Sequence, residues 1–152
     1  MRVRAADQRL PEFPQRAYGE AVIRTAALAY VRERRLLQTR SVGNPAFYMA
    51  GGKLDPGETP LQALHREVHE ELGVRVLDPQ ELGVFTAPAY GHPPGTRLHM
   101  TCYTAELSGE PTASGEIAEL GWFTVAEYGA LDHVAPGSML VFRHLHALGL
   151  ID

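Results

Sequence analysis

Cysteine is nearly absent from this sequence, since Cys102 is the only one in 152 residues. A single thiol excludes an intrachain disulfide framework, and any zinc site would have to be built from histidine and carboxylate side chains. Cys102 lies in an apolar segment between Thr101 and Tyr103. We therefore interpret it as a packing residue rather than a nucleophile.

Long apolar runs are also missing, which argues against a membrane-spanning helix and a membrane partner. The N-terminal region carries arginines, but no apolar stretch follows them, so it lacks the pattern of a secretory signal. Asp7 and Glu12 argue against a transit peptide, because such peptides are poor in acidic residues. We therefore expect a cytoplasmic protein.

Positive charge is scarce as well. The chain has 14 Lys and Arg residues against 18 Asp and Glu residues, which gives a formal net charge of −4 with its seven histidines neutral. A protein that binds nucleic acid by neutralising phosphates usually has the opposite sign, so we expect no nucleic-acid partner. An acidic protein can still bind a small anionic molecule when a divalent cation supplies the positive charge.

The predicted elements follow the order strands, one helix, strands, and one or two helices, which is typical of an α/β or α+β sandwich with a mixed sheet. Residues 1–19 are polar and contain two prolines, and we interpret them as an N-terminal arm before a single domain over residues 20–152. Apolar and β-branched patterns predict five strands, at 21–31, 36–40, 74–87, 97–107 and 119–123. Charged residues predict a turn at 32–35, and glycine and proline predict loops, at 41–45, 51–58 and 88–95.

The central helix has clear start and stop signals. Thr59 fits an N-cap, Pro60 suits the first helical position, Gln62 completes a capping box, and Gly73 can end the helix in a left-handed conformation. Helical spacing predicts a buried stripe at Leu61, Leu64, Val68 and Leu72. A second capping box predicts a short helix from residue 124, and the apolar spacing predicts a terminal helix over 138–148, with a stripe at Leu140, Val141, Leu145 and Leu148.

Three carboxylates on the central helix are the candidate chemical group. Glu70 and Glu71 follow Glu67 by three and four residues, so at about 100° per residue all three lie on one part of the helix surface. Such like charges repel each other unless a cation neutralises them. Hard divalent cations such as magnesium prefer oxygen ligands and bridge carboxylates to substrate phosphates. A solvated acidic face would show the same spacing, and the triad alone does not separate the two interpretations.

The residues around the triad resemble the Nudix box, G-x5-E-x7-R-E-U-x-E-E-x-G-U, in which U is a bulky aliphatic residue. All nine defining positions are filled, by Gly52, Glu58, Arg66, Glu67, Val68, Glu70, Glu71, Gly73 and Val74. The segment Gly51–Thr59 is also similar to the MutT-like branch of the Nudix hydrolases, although Ala50 stands where many relatives have proline. The later stretch Glu116–Phe123 and the terminal helix extend the resemblance to most of the chain.

The resemblance implies an α/β/α sandwich around a mixed sheet, and a magnesium-dependent pyrophosphohydrolase, with manganese as an alternative metal. It further implies that the Gly51 carbonyl and the glutamates of the triad hold the metal, and that Glu58 and Arg66 support the loop as an ion pair. Glu116 is implied as a further catalytic group, in competition with Glu119. The identity of the general base stays open between Glu116 and Glu67.

The resemblance leaves the substrate open. Arg40, Lys53 and Tyr90 are the candidate substrate-binding residues, and Tyr90 follows Val74 at the spacing seen in diadenosine polyphosphate hydrolases. The leading hypothesis is hydrolysis of a nucleoside triphosphate to a monophosphate and pyrophosphate. The alternatives are hydrolysis of ADP-ribose, nucleotide sugars or dinucleoside polyphosphates, and a non-catalytic ligand-binding Nudix domain. The expected partner is a nucleotide-type small molecule, and the protein is expected to be a monomer or a homodimer.

Overall fold

The computed structural model describes residues 21–152, so the predicted N-terminal arm lies outside the described residues. The described chain forms seven strands and three helices in a mixed order. The strands are β1 (Ala21–Leu28), β2 (Val31–Arg32), β3 (Arg35–Ser41), β4 (Gly51–Lys53), β5 (Val76–Pro88), β6 (Thr96–Leu107) and β7 (Ile117–Phe123). The helices are α1 (Pro60–Leu72), α2 (Val125–Gly129) and α3 (Pro136–Ala147). In this part of the chain, no helix is both long and apolar enough to cross a membrane.

The strands form two sheets. The larger sheet has the order β4-β1-β6-β5, in which β1 and β6 run parallel while the other neighbours are antiparallel. The smaller sheet has the order β2-β3-β7 and is antiparallel throughout. The predicted sandwich with a mixed sheet is therefore confirmed.

Strand β1 separates two apolar cores, because successive side chains of a strand point to opposite faces. Ala26 and Leu28 belong to the core that contains α1, whereas Ala27 and Ala29 belong to the core that contains α3. The larger sheet thus has a helix on each face.

Helix α1 begins and ends where its sequence signals predict. The Thr59 side chain accepts from the backbone N–H of Gln62, the Gln62 side chain returns a bond to Thr59, and Gly73 ends the helix at φ 69°. One member of the predicted stripe is wrong, because Leu61 is 39% exposed while Ala63 is fully buried. The first turn of α1 thus turns a smaller side chain towards the core.

The core beneath α3 is built around Phe142 and Leu145, together with Met100 and Cys102 of β6. Burial raises the pKa of the Cys102 thiol to about 12, which agrees with a packing role. The terminal helix begins at Pro136, two residues earlier than predicted, because proline suits the first turn of a helix. Leu148 follows the helix and is 54% exposed, so its assignment to the buried stripe is wrong.

Two predicted boundaries around β1 and β4 are also wrong. The first strand ends at Leu28, and Val31 instead pairs with Leu36 in the smaller sheet. A tight turn at Glu33 and Arg34, both with positive φ, reverses the chain there. Residues 51–53 were predicted as loop, but they pair with β1 as strand β4, because backbone pairing does not require the side chains that strand propensity measures.

Candidate active site

The two glycines of β4 bring its backbone against the carboxylates of α1. The Gly51 N–H donates to Glu71 Oε1 at 3.0 Å. A Cβ atom at Gly52 would overlap the Glu67 carboxylate, and one at Gly51 would overlap the Ala26 carbonyl on β1. Glycine is therefore required at position 51 for the strand to lie against β1, and at position 52 it leaves room for the Glu67 carboxylate.

Arg66 holds the segment before α1 against the helix. Its guanidinium donates to both carboxylate oxygens of Glu58 at 2.8 Å, and to the Lys53 carbonyl at 3.1 Å. This two-point contact with Arg66 lowers the pKa of Glu58 to about 2. Arg66 also donates to Glu67 Oε2 at 3.1 Å, so the same side chain orients a carboxylate of the triad.

The three carboxylates differ in their surroundings. Glu71 is the most enclosed, and burial raises its pKa to about 8, with the charges of Glu67 and Glu70 adding to the effect. Burial also raises the pKa of Glu67. Glu70 stays 57% exposed, with its carboxylate 3.7 Å from Arg66. Since burial disfavours the charged form of a carboxyl group, the site gains stability when positive charge is added.

The chemistry of this group fits a hard divalent cation. Three carboxylates share one side of α1, and two of them are partly removed from water beside the backbone of β4. Within residues 21–152, no three His, Cys, Asp or Glu side chains already converge as a complete ligand set. A cation held by all three carboxylates would need the exposed Glu70 side chain to turn towards Glu67 and Glu71. His65 and His69 lie on the exposed surface of the same helix.

A cleft of about 430 Å³ opens next to this acidic group. Glu71, Gly51 and Gly52 are among the residues that line it. Two tyrosines, Tyr48 and Tyr90, line it as well, with ring centroids 6.5 Å apart at an angle of 61°. The volume lies within the range of small-molecule sites, and the combination of aromatic side chains with a few polar groups is typical of such sites.

Polar groups also line this cleft on β1 and α3. The hydroxyl of Thr25 is buried and has no hydrogen-bond partner among the described residues. Ser138 lies in the first turn of α3, which has no side-chain cap on its N-terminal N–H groups. A buried hydroxyl without a partner costs free energy, so a ligand that bonded to Thr25 would recover that cost.

The predicted substrate-binding residues are placed differently in the structure. Lys53 and Tyr90 line the cleft. Arg40 does not line it, because its guanidinium is held by Glu119 at 2.7 Å and by the Asn44 carbonyl at 3.1 Å. Sequence reasoning missed most of the residues that line the cleft, among them Thr25, Asn44, Tyr48 and Ser138. No local motif marks these residues, since they come from separate elements that meet only in the folded chain.

Glu116 follows a loop that contacts the backbone at the end of α1, and it is not among the residues that line the cleft. Gly115, with φ 58°, allows the loop to approach the carbonyl of Glu70, and the Ser114 N–H donates to the carbonyl of Glu71. The backbone carbonyl of Glu116 accepts from the Val42 N–H at 2.8 Å, and Glu116 is exposed to solvent. Glu119 is the third residue of β7 and is paired with Arg40.

The raised pKa of Glu71 predicts a pH dependence for the metal-free protein. In the folded chain this carboxyl binds a proton up to about pH 8, whereas in the unfolded chain it releases the proton near pH 4.5. The folded state therefore holds more protons between these values, and stability falls as pH rises from about 5 to about 8. We expect the melting temperature in EDTA to fall across this window, and to fall less in Glu71→Gln.

The quantity to measure is the difference in melting temperature between the parent and Glu71→Gln at each pH, because the contributions of other titrating groups that both proteins share then cancel. His99, whose pKa is lowered by burial, contributes in the opposite direction and is present in both. Glu58 and Glu127 titrate near pH 2 in the folded chain, so their contribution lies below the window. If the melting temperatures of the parent and Glu71→Gln changed equally with pH, the raised pKa of Glu71 would be contradicted.

Comparison with known proteins agrees with this geometry. A family model described as NUDIX domain matches residues 22–145. The chain is 32% identical over 122 residues to an uncharacterized Nudix hydrolase, orf19, from Rhodococcus erythropolis, which covers 75% of this chain and 65% of that protein. It is 37% identical over 83 residues to the NAD-capped RNA hydrolase NudC of Deinococcus radiodurans, which covers 53% of this chain and 28% of that protein. The chain thus spans less than two thirds of these relatives.

Among solved structures, the fold is similar to that of a MutT NUDIX hydrolase from Burkholderia pseudomallei. The TM-score is 0.67 at 25% identity, and the match covers 82% of this chain and 98% of that chain.

Proposed function

The chain belongs to the NUDIX family, and we propose that it is a pyrophosphohydrolase that uses magnesium to cleave a nucleoside diphosphate that is linked to another group. The proposed reaction is MutT-like, with a nucleoside triphosphate giving a monophosphate and pyrophosphate. Manganese is the alternative metal.

The observation that carries this proposal is the position of the acidic group next to an aromatic cleft. Glu71 belongs to both, because its carboxylate accepts from Gly51 and also lines the cleft. A nucleotide whose ring lies near Tyr48 and Tyr90 would extend its phosphates towards the carboxylates. Lys53, on the same strand as the glycine pair, lines the cleft and offers an ammonium group to those phosphates.

The proposed roles follow from the surroundings of each residue. Glu67, Glu70, Glu71 and the Gly51 carbonyl would hold the metal. When bound, a divalent cation screens phosphate charge and lowers the pKa of coordinated water. Arg66 orients Glu67 and ties it to Glu58. The glycine pair of β4 keeps its backbone close to Glu71, so the donor atoms stay near the cleft.

We propose a small nucleotide rather than RNA as the substrate. The similarity to the NAD-capped RNA hydrolase covers 28% of that protein, and the present chain carries a net charge of −4, which disfavours a long phosphate backbone. ADP-ribose, nucleotide sugars and dinucleoside polyphosphates carry the same diphosphate linkage and stay within the proposal as alternatives. Retention of all three glutamates favours an enzyme over a non-catalytic ligand-binding domain.

A substrate panel tests the proposal. We expect magnesium-dependent hydrolysis of at least one compound among the nucleoside triphosphates, ADP-ribose, nucleotide sugars and dinucleoside polyphosphates. In oxygen-18 water, mass spectrometry should find the label on a phosphate of a product, because water attacks phosphorus. Label on a sugar carbon would contradict the proposed bond cleavage. Absence of hydrolysis across the panel would contradict the proposed substrates. If 5′-triphosphorylated RNA alone were cleaved, RNA would be the substrate instead of a small nucleotide.

A further inference from the structure

One hydrogen bond joins two loops near the cleft. The Tyr90 hydroxyl lies 3.0 Å from Nδ1 of His133, across 43 positions of sequence. Tyr90 lies between β5 and β6, and His133 lies between α2 and α3. Tyr90 lines the cleft and packs its ring edge-on against Tyr48, whereas His133 is not among the residues that line the cleft.

The segment that carries His133 is fixed to the core. The hydroxyl of the fully buried Tyr128 accepts from the Ala135 N–H at 3.2 Å and donates to the Phe47 carbonyl at 2.7 Å. Phe47 precedes Tyr48, so one buried phenol holds both the base of the Tyr48 wall and the end of the His133 segment. The buried Tyr128 hydroxyl therefore supports both the chain next to Tyr48 and the chain after His133.

Among residues 21–152, no backbone hydrogen bond ties the loop that carries Tyr90 to the core. It contains Gly91 and Gly95, both with positive φ and with open space around the position of a Cβ atom. Its backbone bonds are local, from His92 to Ala89 and across the strand ends. The Tyr48 ring and the His133 side chain both contact Tyr90 from outside this loop, so both can hold the position of its ring.

We propose that His133 is a positioning residue, which fixes the Tyr90 ring beside Tyr48 so that the cleft is preformed for the planar base of a nucleotide. This inference rests on the proposed function and extends it to recognition of the nucleotide base. A wall that is ordered before binding costs less entropy when the base enters. His133 should therefore contribute to binding of the nucleotide base and not to binding of the phosphates.

Calorimetric binding of AMP, GMP and ribose 5-phosphate tests the proposal. The parent should bind AMP or GMP more tightly than ribose 5-phosphate. His133→Ala and Tyr90→Phe should each raise the Kd of that nucleotide about threefold to tenfold, the range of one modest hydrogen bond, and leave ribose 5-phosphate unchanged. The double variant should bind no more weakly than the weaker single variant, because both changes remove the same contact.

Asparagine can offer a hydrogen-bonding amide near the position of Nδ1, so His133→Asn should restore nucleotide affinity. His146→Ala, on the exposed surface of α3, is the matched control and should bind as the parent does. With any nucleotide that is hydrolysed, His133→Ala should raise KM and keep kcat within about twofold. The proposal would be overturned if the losses of affinity in the double variant were additive, or if ribose 5-phosphate lost as much affinity as the nucleotide. It would also be overturned if His133→Ala or Tyr90→Phe bound the nucleotide as the parent does, or if His133→Asn did not restore affinity. Failure of the proposed function is a separate result, namely absence of hydrolysis by the parent.

Discussion

Replacement of Glu71 or Glu70 by glutamine should lower kcat by at least about 100-fold, because a proposed metal ligand loses its charge while its shape is kept. In Glu71→Gln the amide oxygen can still accept from the Gly51 N–H, so the local backbone should not move. A loss of this size raises the activation free energy by roughly 2.7 kcal/mol. Initial rates at saturating magnesium and substrate measure it directly.

The folded state should tolerate both changes. In the metal-free protein the Glu71 carboxyl is protonated below about pH 8, so Glu71→Gln replaces one neutral group with another of the same shape. Glu70→Gln removes part of the like-charge repulsion along α1. Neither change should therefore lower the melting temperature of the metal-free protein at neutral pH. Glu106→Gln, an exposed carboxylate on β6, is the matched control and should retain parent activity. If Glu70→Gln and Glu71→Gln both hydrolysed substrate at the parent rate, the glutamates of α1 could not be the metal-binding group.

Features that depend on neighbouring residues could be predicted from the sequence. The capping box at Thr59, the proline after it and the glycine at the end of α1 all act within a few residues, and the structure has each of them. The spacing of Glu67, Glu70 and Glu71 has the same local origin, since a helix fixes which residues share a face. The acidic group could therefore be predicted before the fold was known.

Features that depend on pairing between distant segments could not be predicted in this way. Strand β4 has two glycines in three residues, and it is a strand because β1 offers a free edge. Arg40 was a reasonable phosphate ligand by charge alone, but Glu119 lies opposite it on β7 and takes its guanidinium. The wall formed by Tyr48 and Tyr90 requires two loops to meet, and no spacing in the sequence encodes their contact.

The structure also bears on which carboxylate outside α1 takes part in the reaction. The loop at Gly115 lies against the last turns of α1, so Glu116 follows directly after the backbone that contacts Glu70. Its side chain takes part in none of the hydrogen bonds or ion pairs found among residues 21–152, whereas Glu119 is held by Arg40 at 2.7 Å. Glu116 is therefore the better candidate for a group that must reach towards a bound phosphate.

Glu116→Gln should accordingly lower kcat by about 10²- to 10⁴-fold with little change in magnesium dependence, if Glu116 acts as a general base. If it is a metal ligand instead, the apparent affinity for magnesium should fall as well, and Glu67 becomes the candidate base. Glu119→Gln is the matched control, because it weakens an exposed ion pair with Arg40 and should change kcat by less than about fivefold. Rate and magnesium titrations on both variants separate these cases. A Glu116→Gln protein that matched the parent in both quantities would show that Glu116 has no part in the reaction, because a base or a ligand must alter at least one of them.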